Sequence, residues 1–202
     1  MILSIILNLL YEFYTEKETG SMLIDSKDSC LLIIDVQEHL APAVKTPRDV
    51  ISGSERLAKG AKILNVPVIA TEQYPKGLGP TMFDVRSVLS EEDFFEKRAF
   101  SVLAEEGFED RLKKSGAKQV VITGAEMHIC VLQSAIELKE QGYVPFVVEN
   151  ACSSRYDRDF QAAKARLANE GITVVTVEMV LFEWLRTSKA PEFKQIQSQL
   201  VF

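Results

Sequence analysis

Three residues of this 202-residue chain could do chemistry together if the fold gathers them: Asp35, Lys97 and Cys130. Cys130 lies in "TGAEMHICVLQSAIEL", residues 123–138, where a strand ending in Thr-Gly gives way to a helix starting near His128. The thiol then falls in the first helical turn, whose backbone N–H groups have no intrahelical acceptor. A helix N-terminus and a nearby ammonium both favour the thiolate. A carboxylate can take up the thiol proton and return it, and the free amides can hold an oxyanion. This is the equipment for acyl transfer through a thioester, followed by hydrolysis.

Each residue alone has an ordinary structural reading. A strand-terminal Asp caps a turn, a Lys after a strand is solvated, and a lone Cys is a small buried hydrophobe. Only convergence separates the two accounts, and convergence depends on the elements that carry the residues.

Short apolar runs predict six strands: "CLLIID" (30–35), "VPVIAT" (66–71), "DFFEK" (93–97, the weakest), "QVVITG" (119–124), "VPFVVEN" (144–150) and "ITVVTV" (172–177). The first helix opens with Thr46 as N-cap and Pro47 at its first position, and sets Val50, Leu57, Ala61 and Leu64 on one face. "EQYPKGLGPT" reads as a Gly/Pro-rich loop. In "EEGFEDRLKKSG", Phe108 and Leu112 stand one turn apart and Gly116 stops the helix. Further helices are expected over 128–141, 157–170, 178–186 and 191–200. Strands that are apolar throughout, separated by amphipathic helices, indicate a parallel sheet covered on both faces. Right-handed crossovers make it doubly wound. The expectation is α/β: a single-domain three-layer αβα sandwich with a six-stranded, mainly parallel sheet in the order 3-2-1-4-5-6. Strands one and four then flank the switch point, outside which ligands bind. Asp35 ends strand one, Lys97 ends strand three and Cys130 follows strand four, so acid, amine and thiol would share one cleft.

Net charge is −6 and the pI is near 5.1, which argues against a nucleic-acid surface, since that needs a clustered basic patch. The hydrophobic fraction of 47% and charged fraction of 26% suit one globular domain. Cys30, Cys130 and Cys152 make an odd count without CxxC spacing, so neither a disulfide framework nor a structural zinc site is expected. Free thiols fit a reducing compartment, the cytoplasm. The apolar opening "MILSIILNLLYEFY" is too short to span a bilayer and lacks the marks of a secretory signal. It reads as an appended helix, a mobile leader, or sequence upstream of a true start at Met22. Residues 1–27 are therefore set apart as an N-terminal extension, and 28–202 form the domain.

"LLIIDVQ", "TEQYPKGLGPT", "TGAEMHICVLQSAIEL" and "EMVLFEWL...PEFKQIQ" together resemble the isochorismatase-like cysteine hydrolases, most nearly the isochorismatase domain-containing branch. The resemblance runs from about Asp28 to the C-terminus with its motifs in order. It implies an Asp-Lys-Cys triad: Cys130 as nucleophile, Asp35 as general base and later acid, Lys97 as electrostatic partner. It further implies a cis peptide between Ala125 and Glu126, and an oxyanion hole of the amides of Glu126 or Met127 and Cys130. Members that cleave isochorismate carry glycine where Cys130 stands, so a thiol-dependent reaction is implied here instead. Nicotinamidases of the same superfamily carry a metal-binding D-x-H. This chain has only His39 and His128 and no D-x-H, so no metal and no cofactor is expected.

Gln37 and His39 could reach the cleft from the loop after Asp35, where such polar residues ordinarily satisfy backbone. Tyr74 could wall the pocket or simply pack. His128 could orient a substrate carbonyl or make a structural hydrogen bond. Arg155 could line the same edge or meet another subunit, and Arg98 competes with its neighbour Lys97 for the cationic role. Cys30 and Cys152 read as core. The leading function is a metal-independent cysteine hydrolase of a small molecule, at an amide or ureido C–N bond. It would need no nucleic acid or membrane, and would assemble as a homo-oligomer through "VLFEWL" and the N-terminal leader. The alternative is a non-catalytic binding or scaffold protein on the same fold, with a redox-sensitive Cys130. Nucleotide binding is disfavoured, because "DVQEHLAP" lacks phosphate-cradling glycines.

Overall fold

The computed structural model describes residues 23–198. Residues 1–22, most of the N-terminal extension, lie outside the described part, as do 199–202 at the end of the last expected helix. Six strands form one sheet in the order β3-β2-β1-β4-β5-β6. They are β1 (Ser29–Ile34), β2 (Val68–Gln73), β3 (Phe94–Lys97), β4 (Gln119–Ala125), β5 (Val144–Ser153) and β6 (Thr173–Val175). Every pairing is parallel, so the sheet is wholly rather than mainly so.

β1 is buried along its whole length because its side chains alternate between two cores. Leu31 and Ile33 face one; Cys30, Leu32 and Ile34 face the other. The first core is closed by α1 (Pro47–Leu64), α3 (Phe83–Arg86) and α7 (Val177–Leu185). The second is closed by α4 (Phe108–Lys114), α5 (Leu132–Glu140) and α6 (Asp157–Asn169). Burial of both faces is what the unbroken apolar runs encode. Two short helices, α2 (Pro75–Leu78) and α8 (Phe193–Ile196), complete the described set.

Several local expectations give way. Thr46 precedes α1 but its hydroxyl makes no cap; it donates to Ser153 Oγ at 3.0 Å, tying α1 to the end of β5. "EQYPKGLGPT" is only partly loop, because α2 folds within it and Thr81 bridges Gln37. β5 runs three residues beyond its expected end and β6 is halved. Neighbour pairing rather than apolarity decides where strands stop. "VLFEWL" is not an exposed interface. Val180, Leu181, Trp184 and Leu185 are buried against α1 and the sheet, and Trp184 Nε1 donates to Ser29 Oγ at 3.1 Å. Ile24, within the stretch set apart as an extension, is buried in the same core, and its amide donates to Glu183.

Two glycines fix how closely the layers approach. At Gly53 a Cβ would lie 2.7 Å from that of Ala151, so α1 touches β5 nearly backbone to backbone. At Gly124, φ is +119° and a Cβ would lie 1.9 Å from the carbonyl oxygen of Ile34. β1 and β4 are therefore pressed together just before the two candidate chemical residues they deliver. Replacing Gly116, whose φ is +72° in open space, by alanine is expected to cost about 1–2 kcal/mol for the left-handed backbone alone. Gly124→Ala adds overlap with backbone and should cost about 1–3 kcal/mol beyond that in urea unfolding. Equal losses would mean that the ends of β1 and β4 can part freely.

Candidate active site

Asp35 follows β1 in a left-handed conformation, φ +51°, which Asp tolerates better than most residues. It is fully buried. Its Oδ1 accepts from Thr71 Oγ1 at 2.7 Å, and β1 and β2 pair so that Ile34 faces Thr71. Lys97, at the end of β3, reaches across β2 to place Nζ 2.7 Å from Asp35 Oδ2. Both side chains are sealed from solvent.

Such a pair persists only if its remaining hydrogens and lone pairs find partners. Lys97 donates to Gln73 Oε1 at 2.6 Å, Ala99 O at 3.1 Å and Phe100 O at 3.3 Å. Those three bonds use the ammonium's three hydrogens. Asp35 Oδ2 touches that charge outside hydrogen-bond geometry, and it is one of two buried side-chain polar atoms lacking a hydrogen bond among the described residues.

Cys130 approaches from the other side of the switch point. The peptide bond between Ala125 and Glu126 is cis. After it the chain forms a single wide π turn, Met127–Val131, before α5 begins. The thiol therefore sits in a π turn rather than the α-helical first turn that the sequence suggested, a distortion common at functional sites. It is 6% exposed and within hydrogen-bonding reach of the Asp35 carboxyl and the Lys97 ammonium.

The electrostatics depart from expectation. Burial pushes the Cys130 thiol up to about 12, and the Asp35 charge adds to this against the opposing pull of Lys97. Burial outweighs the pull of the ammonium, which disfavours the preformed thiolate expected from a helix terminus. The Asp35 carboxyl is itself raised above its usual range, chiefly by burial, with Lys97 opposing.

The other named residues divide. Gln37 is fully buried, and backbone consumes its amide: Nε2 donates to Gln73 O and Gly79 O, while Oε1 accepts from Gln73 N. His39 is exposed, its Nδ1 3.1 Å from Gly77 O. His128 Nδ1 is 2.9 Å from Ser154 Oγ. Tyr74, half-exposed with φ +41°, lies under the Arg98 guanidinium, 3.8 Å from the ring centroid. With Pro75, Lys76, Glu96, Lys97 and Glu105 these two residues line a cavity of about 250 Å³. Arg98 thus stays on that rim, and only Lys97 turns inward. Arg155 braces the turn that carries Cys130, its Nε 3.1 Å from Glu126 Oε1. Cys30 and Cys152 are buried in the second core, each also pushed up to about 12 by burial. Among the described residues no group of three or more His, Cys, Asp or Glu side chains gathers as metal ligands would, and no helix is long and apolar enough to cross a membrane.

Sequence reasoning missed Thr71, Gln73 and the side chain of Glu126. The signal for the first two was register. They end β2, between the strands carrying Asp35 and Lys97, and Gln73 pairs directly with Lys97.

A titration of thiolate ultraviolet absorbance, with the Cys130→Ser variant subtracted, tests the electrostatic account. Removing the carboxylate charge in Asp35→Asn should move the Cys130 midpoint down from about 12, since that charge holds it up. A midpoint that stays or rises would show that Asp35 does not act on the thiol.

The Isochorismatase domain family model matches residues 29–179. Isochorismatase domain-containing protein 1 of Danio rerio is 38% identical over 170 residues, covering 84% of this chain and 60% of that protein. Isochorismatase domain-containing protein 2 of the same fish is 36% identical over 178 residues, covering 88% and 89%. The chain thus spans about 60% of the protein 1 relatives' length. A solved structure of a MAR1 ribonuclease from Caenorhabditis elegans superposes with a TM-score of 0.83 at 36% identity, covering 89% of this chain and 93% of that one. The Escherichia coli YcaC product, an octameric hydrolase of unknown specificity, shares the fold with a TM-score of 0.84 at 23% identity, covering 91% and 93%.

Proposed function

This chain belongs to the isochorismatase family, and on that premise we propose that it is a cysteine hydrolase of small molecules carrying an amide or ureido C–N bond. The observation that carries the reading is the buried Asp35 carboxylate, 2.7 Å from the Lys97 ammonium yet with Oδ2 meeting no hydrogen-bond geometry. An oxygen so placed can accept the thiol proton at the moment of attack, which a thiol pushed up to about 12 requires.

Cys130 Sγ attacks the substrate carbonyl carbon while its proton passes to Asp35. The developing oxyanion is held by the amides of Glu126 or Met127 and of Cys130. As the C–N bond breaks, Asp35 returns the proton to the leaving nitrogen and a thioester remains on Cys130. Asp35 then takes a proton from water, whose oxygen attacks the thioester, and gives that proton back to the departing sulfur. Lys97, 2.7 Å from Asp35 Oδ2, balances the carboxylate. Tyr74 walls the approach, with Gln37 and His128 holding the surrounding loops. Side chains and backbone supply every step, so the proposed route uses no metal. Homo-oligomerisation finds support in Phe83, Phe100 and Tyr156, which are exposed, and a cytoplasmic setting in three free cysteines. The scaffold alternative gains nothing from the site, since redox-sensing thiols are accessible and acidic whereas Cys130 is neither.

A panel of small amides and ureides, with an RNA alongside because similar structures bear the name ribonuclease, tests the reading. Turnover of a panel member should vanish in Cys130→Ala, fall about 10²–10⁴-fold in Asp35→Asn, and leave an acyl adduct on Cys130 in mass spectrometry. RNA cleavage that survives Cys130→Ala would sink it. The pH profile gives a second check. The route needs Asp35 ionised, and burial raises its carboxyl. Hence kcat/KM should fall, as pH drops, through a midpoint above the ordinary ~3.9 of aspartate. A midpoint at or below that value would contradict the assignment of Asp35 as base.

A further inference from the structure

Gln73 is absent from the mechanism above, yet its geometry is the most constrained around Lys97. Its side-chain oxygen, 2.6 Å from Lys97 Nζ, makes the shortest of the ammonium's three hydrogen bonds. Its backbone is clamped from both directions by Gln37, which accepts from Gln73 N at 2.8 Å and donates to Gln73 O at 3.0 Å. The far end of the side chain is anchored too, since Nε2 donates to Arg98 O at 2.6 Å. This also sets the amide's orientation: with Nε2 committed as donor, Oε1 is the atom that faces Lys97.

We propose that Gln73 is a positioning residue that draws one hydrogen of Lys97 away from Asp35, so that Oδ2 feels the positive charge but stays open to the proton of Cys130. Resting on the hydrolase reading, this explains how one ion pair can hold a carboxylate in place without neutralising it as a base. An ammonium has three hydrogens in a tetrahedral fan. Ala99 O and Phe100 O take two, at 3.1 and 3.3 Å. If Gln73 were not there, the third would have Asp35 Oδ2, already 2.7 Å from Nζ, as its nearest acceptor. A charge-assisted bond would then form at the oxygen that must receive the thiol proton, favouring the ionised carboxylate. In the proton step the S–H bond breaks, its electron pair stays on sulfur, and an O–H bond forms on Asp35. A directed hydrogen from Lys97 opposes that step. The groups acting on Asp35 are Lys97 from β3, Cys130 from the π turn and the Thr71 hydroxyl from β2. Glu105 lies farther out, where it also feels the Lys97 charge while accepting from the amides of Arg98 and Ala99.

Gln73→Met removes the acceptor while keeping length and bulk, and Gln73→Glu keeps an oxygen in reach of Nζ. Carbon-13 NMR titration of the Asp35 carboxyl reads the effect without any substrate. Gln73→Met is expected to lower the Asp35 midpoint by about one unit or more, the size of one charge-assisted bond, and Gln73→Glu to leave it high. On a turned-over substrate, Gln73→Met should lower kcat about tenfold with KM unchanged, and should carry the acid limb downward with the NMR midpoint. An Asp35 midpoint that is unmoved or raised in Gln73→Met overturns the proposal, as does an equal fall in Gln73→Glu. Absence of turnover in the unaltered protein would sink the hydrolase reading while the NMR result still decides the role of Gln73. Near-identical urea midpoints for both variants would show that folding is not what moves.

Discussion

The buried contact between Lys97 and Asp35 is the constraint to which the rest of this molecule answers. Two opposite charges sealed from water stabilise nothing by themselves. Their mutual attraction is offset by lost hydration unless the surrounding groups complete it. The completion here comes from Thr71 on the carboxylate and from Gln73, Ala99 and Phe100 on the ammonium. These partners stand at the ends of adjacent strands or in the segment just after β3, so the parallel sheet doubles as a ruler. Its register decides which polar groups arrive at the same height, and the single wide turn after β4 swings the thiol over them.

This arrangement reverses the usual picture of a reactive cysteine. Acidity is not conferred on Cys130 by helix terminus or cation; burial prevails and pushes the thiol up to about 12. In the proposed mechanism, reactivity depends on the neighbouring oxygen rather than on the sulfur's own ionisation. Under that proposal the site would be quiet towards adventitious electrophiles and respond to a correctly seated carbonyl.

Much of the fold was legible because its cause was legible. Strands buried on both faces must be apolar throughout, so β1, β4 and the core of β5 announced themselves, and alternation with amphipathic segments forced parallel order. That order alone put Asp35, Lys97 and the turn bearing Cys130 at one edge. What stayed hidden depended on pairing and on side-chain geometry. Nothing in "MHICV" distinguishes a π turn from an α turn. Thr46 looked like a cap because Thr before Pro usually is one, but a hydroxyl partner on β5 competed for it. "VLFEWL" looked like an interface because an apolar helix near a terminus often docks elsewhere; here the sheet itself had an uncovered stretch. Gln73 was invisible as a partner of Lys97 until the register of β2 against β3 was known.

The near contact of α1 with β5 at Gly53 has a mechanical meaning. Where backbone already meets backbone there is no slack, and that side of the sheet behaves as a rigid wall. On the other face, residues 98–107 join β3 to α4 without regular structure and carry the exposed ring of Phe100. Two carbonyls of that same segment grip the Lys97 ammonium. The path of this short stretch and the placement of the charge beside Asp35 are therefore one constraint.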